Sequence, residues 1–193
     1  MSVDEPSPIT PSLKGISLQI AIDRLNRHVD SGKLTRDKME ERLLPEDFEI
    51  LGRRIASTLW YPLANYERIV TLIQEVEGGV GDRFWVKFGE DTARETLGSA
   101  AVQVLIKGAK KFGNRAGIPL VKLGSLFFNF STWQFEGDDL EHFTITISDA
   151  GPMPEIVRHA VQGFVQHIIY EFTGKPVKVT GERPRHDKIV FSA

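Results

Sequence analysis

Apolar residues recur at helical spacing through the first two thirds of the chain and then switch to alternation. Leu18, Ala21, Ile22, Leu25 and Val29 fall on one stripe, which predicts an amphipathic helix that Gly32 stops. Thr35 is placed to cap a shorter helix carrying Met39, Leu43 and Leu44, ended by Pro45. From Phe48 to Trp60 the pattern reads both ways: Ile50, Leu51, Ile55 and Leu59 suit a helix, and Trp60-Tyr61-Pro62 an extended end. Pro62 suits the first position of the next helix, where its missing N–H costs nothing. That helix carries Leu63, Tyr66, Ile69, Val70, Ile73 and Val76 on one face and ends at Gly78-Gly79. A further helix from Asp82 to Leu97 sets Trp85, Phe88, Thr92, Ala93 and Thr96 on one side, and another spans Ser99 to Phe112. The stretch from Ile118 to Phe128 is almost wholly apolar, so it is either a buried helix or a surface that meets a partner.

Alternation then takes over. Trp133 and Phe135 share one side of a strand, and Phe143, Ile145 and Ile147 one side of the next, joined at Glu136-Gly137-Asp138-Asp139. A long helix follows from Pro154 to Phe172, ending at Gly174. Its adjacent apolar rows, Ile156/Ala160/Phe164/Ile168/Phe172 and Val157/Val161/Val165/Ile169, make a face wide enough to lie across a sheet. Two short strands, Val177 to Gly181 and Ile189 to Phe191, close the chain around a polar turn at Arg183 to Asp187. The predicted class is α+β: N-terminal helices on one face of a four-stranded antiparallel sheet, with a long helix between the two C-terminal hairpins. Residues 1–14, rich in Ser, Pro, Thr and acids, read as a flexible tail, and 15–193 as a single α+β domain.

Composition narrows the function more than it defines it. The chain has 193 residues, 41% hydrophobic and 26% charged, with a formal charge of -2. No global positive field draws in nucleic acid or anionic lipid, so nucleic acid is disfavoured as a partner. Zero cysteines exclude disulfides, thiolate metal sites and a cysteine nucleophile. No secretory leader or membrane span is legible, and a cytoplasmic location is the default expectation.

The search for chemistry returns little. Gly32-Lys33 is followed by leucine and Gly174-Lys175 by proline, so no phosphate-cradling loop is present. Gly78-Gly79-Val80-Gly81 follows a helix rather than a strand and reads as a helix stop. Along the long helix Glu155, His159, Gly163, His167 and Glu171 recur every four residues. His159 and His167 stand about 12 Å apart along the axis and about 80° apart around it, so they cannot share one ion on an unbroken helix. The stripe reads as the polar edge of an amphipathic helix, with charge pairs. Glu136, Asp138, Asp139 and Glu141 read as a turn that uses Asp for local backbone hydrogen bonds. Lys107, Lys110, Lys111, Arg115 and Lys122 read as a solvated helix face, and Arg183, Arg185 and Lys188 as a second weak basic patch. No catalytic and no metal-binding residue is assigned.

Aromatic residues are the more informative feature. Trp85, Phe88, Phe127, Phe128 and Trp133 are the candidate lining of an apolar ligand pocket between helices and sheet. Ile118, Leu120, Val121, Leu123 and Leu126 are the candidate interaction surface.

Several short runs carry a family resemblance over residues 48–193. They are Trp60-Tyr61-Pro62 with Tyr66, Ala93-Arg94-Glu95, and the tail from Gly163 through Gly174 to Val177-Lys178-Val179 and Ile189-Val190-Phe191. In these the chain resembles the superfamily of haem-nitric-oxide-binding domains, 4-vinyl-reductase-like small-ligand-binding domains and subunits of the TRAPP vesicle-tethering complex. Within it, the chain is most similar to a myxobacterial paralogous family of uncharacterised proteins. The resemblance implies a fold that binds small apolar ligands or other protein subunits. The haem-binding branch carries Tyr-x-Ser-x-Arg, and no such run begins at Tyr61, Tyr66 or Tyr170, so no cofactor is expected and haem is disfavoured. The first expectation is therefore a non-catalytic regulatory or adaptor module, of a signalling kind, that binds a protein partner or a second copy of itself as a homodimer. The alternatives are a small-ligand sensor with an apolar pocket, and an enzyme whose site is assembled only by folding.

Overall fold

The computed structural model describes residues 10–98, 124 and 126–193. Within the stretch assigned to the tail, Ser12–Lys14 form a strand, β1, and Leu13 is only 1% exposed. An average over a Pro- and Ser-rich stretch hides one leucine that the core requires. Helix α1 (Gly15–Asp30) follows at once and buries Leu18, Ala21, Ile22 and Leu25. Helix α2 (Arg36–Arg42) begins at Thr35, whose hydroxyl oxygen accepts from the Lys38 N–H at 3.3 Å.

Pro45 does more than end α2: it opens helix α3 (Pro45–Leu51), where a missing N–H breaks no bond. The carboxylate of Asp47 accepts from the Leu44 N–H at 2.9 Å, from Asn65 at 2.6 Å, and from Arg68 at 2.7 and 2.8 Å. Fully buried, it fastens α3 to helix α4 (Leu63–Glu77). The ambiguous stretch from Phe48 to Trp60 becomes the end of α3, a loop, and the start of strand β2 (Trp60–Pro62). Pro62 closes β2 and precedes α4 rather than filling its first position. β1 and β2 pair antiparallel, with Leu13 opposite Tyr61. Gly78 stops α4 at φ +68°, a conformation other residues rarely adopt. Helix α5 (Gly81–Leu97) then buries Trp85, Phe88, Thr92, Ala93 and Thr96, the side that the sequence marked. The expected Ser99–Phe112 helix lies outside the described residues.

The C-terminal part forms one antiparallel sheet from β3 (Thr132–Gly137), β4 (Phe143–Ser148), β5 (Thr180–Arg185) and β6 (Lys188–Ser192), in the order β3-β4-β6-β5. The register aligns its apolar side. Trp133, Ile147 and Ile189 form one row across three strands, and Phe135, Ile145 and Phe191 the next. Helix α6 (Glu155–Thr173) runs between the hairpins and packs into the same core through Val157, Val161, Val165, Ile168 and Ile169. β5 starts later than the sequence predicts. Gln162 donates to the Val179 carbonyl at 2.9 Å and the Val179 N–H donates to Gln166 at 3.1 Å, so α6 takes the backbone bonds a neighbouring strand would have made. The class is α+β, as expected. Among the described residues no helix is long and apolar enough to cross a membrane.

Candidate functional site: an apolar cavity beneath a glycine crossing

α5 and α6 meet at two glycines. A methyl carbon built on Gly89 would fall 1.8 Å from the Ala160 carbonyl oxygen, and one on Gly163 1.8 Å from that of Val86. Glycine inside a helix costs about 1 kcal/mol relative to alanine, so its presence on both helices marks a backbone-to-backbone approach. That approach changes the meaning of the four-residue stripe on α6. It was read as a polar edge, yet Gly163 and His167 are buried and the His159 side chain is only 12% exposed. With no side chain at its centre, the stripe lets α5 settle onto it, and both histidines are covered.

Each histidine keeps one nitrogen without a partner, Nδ1 of His159 and Nε2 of His167. His159 Nε2 lies 3.2 Å from Asp82, and His167 Nε2 lies 3.7 Å from Glu171, too far for a hydrogen bond. Burial, followed by the nearby Arg158 for His159 and Arg94 for His167, holds both below the usual histidine range. Glu155 is taken up by Arg158 and Arg183, and Arg183 also donates to the carbonyls of Ala150, Met153 and His186. Arg183 is thus structural rather than a free cation, while Arg185 is exposed and pairs with Asp187 at 3.3 Å. Asp139 accepts from the N–H groups of Glu141 at 2.8 Å and His142 at 2.7 Å, a turn device. Among the described residues no group of three or more His, Asp or Glu could hold a metal ion. The run from Lys107 to Lys122 lies outside them.

Beside the crossing lies an apolar cavity of about 60 Å³. Gly89 and Thr92 of α5 form one wall, and Val157, Ala160, Val161, Phe164, Val165 and Ile168 of α6 another. Leu13 of β1, Ser17 of α1 and Tyr66 of α4 face it, with Gly124, Phe127, Phe128 and Trp133 completing the described lining. The aromatic side is built by ring packing. Phe128 stacks on Trp133 at 6.3 Å between centroids, and Phe127 meets Phe164 edge-on at 5.4 Å. Gly124 makes room, since an added methyl carbon would lie 2.3 Å from the Trp133 ring. A small latch holds the N-terminal strand to this side: Leu13 bridges Phe128, and the Ser12 N–H donates to Asn129 Oδ1 at 2.7 Å.

Of the candidate pocket residues, Phe127, Phe128 and Trp133 are on the wall. Trp85 and Phe88 are not; they meet edge-on at 6.0 Å between centroids in the core. Of the candidate surface, Ile118, Leu120, Val121 and Leu123 lie outside the described residues, and Leu126 is 54% exposed. The sequence did not mark Leu13, Ser17, Tyr66, Gly89, Thr92 and Gly124 as wall residues, nor Val157, Ala160, Val161, Phe164, Val165 and Ile168 of α6. The mid-helix glycine Gly89 was the available signal, and for the others no local signal distinguishes wall from core.

No polar side chain dominates the cavity. Thr92 spends its hydroxyl on the Phe88 carbonyl at 2.9 Å. Tyr66 is 6% exposed, and its hydroxyl has no hydrogen-bond partner among the described residues. Burial raises its pKa far above the ordinary tyrosine value, against a smaller opposing pull from Arg24, so the phenol is neutral.

No protein-family model matches the chain, and no curated protein matches it. Solved structures do. The Fe(II) unliganded H-NOX protein from K. algicida, and a mutant of it, each superpose with a TM-score of 0.59 and 13% identity. Each alignment covers 93% of this chain and 95% of theirs. The chain therefore has an H-NOX-like fold, and at this identity the likeness is one of fold.

The expectation that no cofactor is involved is corrected by these neighbours, since both are Fe(II) proteins. The described cavity wall, however, does not fit an iron group. It contains no histidine, cysteine or methionine, and its oxygen atoms are the neutral hydroxyls of Ser17, Tyr66 and Thr92. Residues 99–123 also lack histidine, cysteine, methionine and tyrosine.

Proposed function

We propose that the protein is a small-ligand sensor whose receptor is the apolar cavity between α1, α4, α5, α6 and the Phe127–Trp133 aromatics. The observation that supports it is a recess lined almost wholly by apolar side chains contributed by several elements. A ligand that fills it removes the apolar wall from water. An engineered cavity of about 150 Å³ admits benzene, so this one suits smaller molecules, of about three heavy atoms. Its walls come from β1, both sides of the glycine crossing, and Trp133 of the sheet, so occupancy alters packing in several elements at once. That coupling is what a sensor requires.

The neighbours favour this reading over the adaptor expectation. The candidate adaptor surface is represented among the described residues by Leu126 alone, whereas its neighbours Phe127 and Phe128 line the cavity. Thermal unfolding in buffer equilibrated with propane tests the proposal. The midpoint rises with propane concentration in the wild type, following the gain RT ln(1 + [L]/Kd). Val161→Phe, which fills the void, abolishes the rise. A midpoint that ignores propane, or that rises equally in Val161→Phe, contradicts the reading.

A further inference from the structure

His159 stands on α6 one turn before Gly163, and a single nitrogen of its ring meets two partners of opposite character. Nε2 lies 2.8 Å from Arg158 Nη2 on α6 itself, and 3.2 Å from Asp82 Oδ1 in the first turn of α5. A guanidinium only donates and a carboxylate only accepts, so Nε2 cannot serve both in one protonation state. The neutral ring accepts from Arg158 at Nε2, which places its proton on Nδ1. That nitrogen is buried without a partner, and the Nε2 lone pair is left beside the Asp82 carboxylate. The charged ring cannot accept from Arg158, and its added Nε2–H is a donor within reach of Asp82. Arg158 does not depend on the histidine, since it also donates to Glu155 and to the Gly181 carbonyl. Glu155, the other carboxylate near the ring, is held by Arg158 and by Arg183 of β5. We infer that His159 is a proton-operated switch: neutral, its imidazole is bound to Arg158 within α6; protonated, it turns to Asp82 and ties α6 to the first turn of α5. The exchange acts at the crossing, because Ala160, the next residue, presents the carbonyl against which Gly89 packs. Burial and then Arg158 favour the neutral ring, so the exchange answers to acidification below the usual histidine range.

The switch stands independently of the cavity reading. Proton–nitrogen correlation spectra of the full chain with nitrogen-labelled histidine, recorded from about pH 8 to pH 4, test it. The neutral His159 ring is expected in its Nδ1–H form. In acid the Nε2 proton appears, slowed in exchange by its bond to Asp82, and that slowing is lost in Asp82→Ala. At a fixed pH within the titration, Asp82→Ala lowers the ratio of charged to neutral ring about two- to fivefold, the worth of one exposed ion pair. Arg158→Gln raises the same ratio. His167, two turns further along α6, does not respond to Asp82→Ala. Should Arg158→Gln fail to fold, the wild-type tautomer and Asp82→Ala decide. A neutral ring in the Nε2–H form, a ratio unchanged in Asp82→Ala, or an Nε2 proton indifferent to that substitution would overturn the inference.

Discussion

Replacing Gly163 by alanine sets a methyl carbon 1.8 Å from the Val86 carbonyl oxygen, where ordinary contact begins at 3.4 Å. The deficit of about 1.6 Å cannot be met by turning a side chain, because both partners are backbone. On an exposed helix the same substitution would stabilise by about 1 kcal/mol. Overpacking a tight interior contact costs about 1–3 kcal/mol, and a backbone clash belongs at the upper end. The net expectation is a loss of about 2 kcal/mol, or about 4–8 °C in unfolding midpoint for a chain of this size. Urea unfolding monitored by tryptophan fluorescence, with the slope compared to confirm that the unfolded state is unchanged, measures it directly. Gly52→Ala is the control, since its φ of -79° suits alanine and its nearest atom, at 3.3 Å, lies only about 0.1 Å inside ordinary contact. That substitution changes stability by less than about 0.5 kcal/mol. Gly89→Ala acts on the same crossing, so the double variant loses less than the two single losses added together. A Gly163→Ala protein as stable as wild type would refute the crossing as described.

Other elements give further tests. Leu13→Ala loses about 2–5 kcal/mol in urea unfolding if Ser12–Lys14 are a true strand, and nothing measurable if they belong to a loose tail. Burial by itself raises the Asp47 carboxyl, yet hydrogen bonds from Arg68, Leu44 and Asn65 outweigh it and hold the group below the ordinary range. Its contribution is therefore complete above the unfolded value of about 3.9 and is lost as pH falls through the lower folded value. Asp47→Asn costs about 3 kcal/mol at pH 7 and flattens the acid limb of the stability profile; an unchanged acid limb counts against the network. His167, covered by α5 and facing Arg94, Lys87, Glu90 and Glu171, titrates below the unfolded value of about 6.5. The unfolded chain thus binds the proton first, and wild type loses stability as pH drops from about 7 to 5. His167→Gln loses less over that interval, and equal losses would show that the imidazole is not covered.

Stripe and alternation were enough to place α1, α4, α5, α6 and the β3–β4 hairpin, because each has an apolar face that only one period satisfies. What failed to show was whatever depends on a distant partner. β1 is legible only once β2 is beside it, and the start of β5 is set by Gln162 and Gln166 of a helix. The histidine stripe looked like an edge because periodicity reports residue type, and it is Gly163 that admits α5. For the cavity, aromatic density pointed to Phe127, Phe128 and Trp133 and equally to Trp85 and Phe88, which pack in the core. A void is a property of how side chains fail to meet, and no single position encodes it.

A crystal of the protein held under xenon pressure is the direct test of the receptor cavity. The account predicts a xenon atom between Val161, Phe164, Phe128 and Trp133, with the α5–α6 crossing undisturbed. Xenon absent from that space, with side chains closed over it, would contradict it.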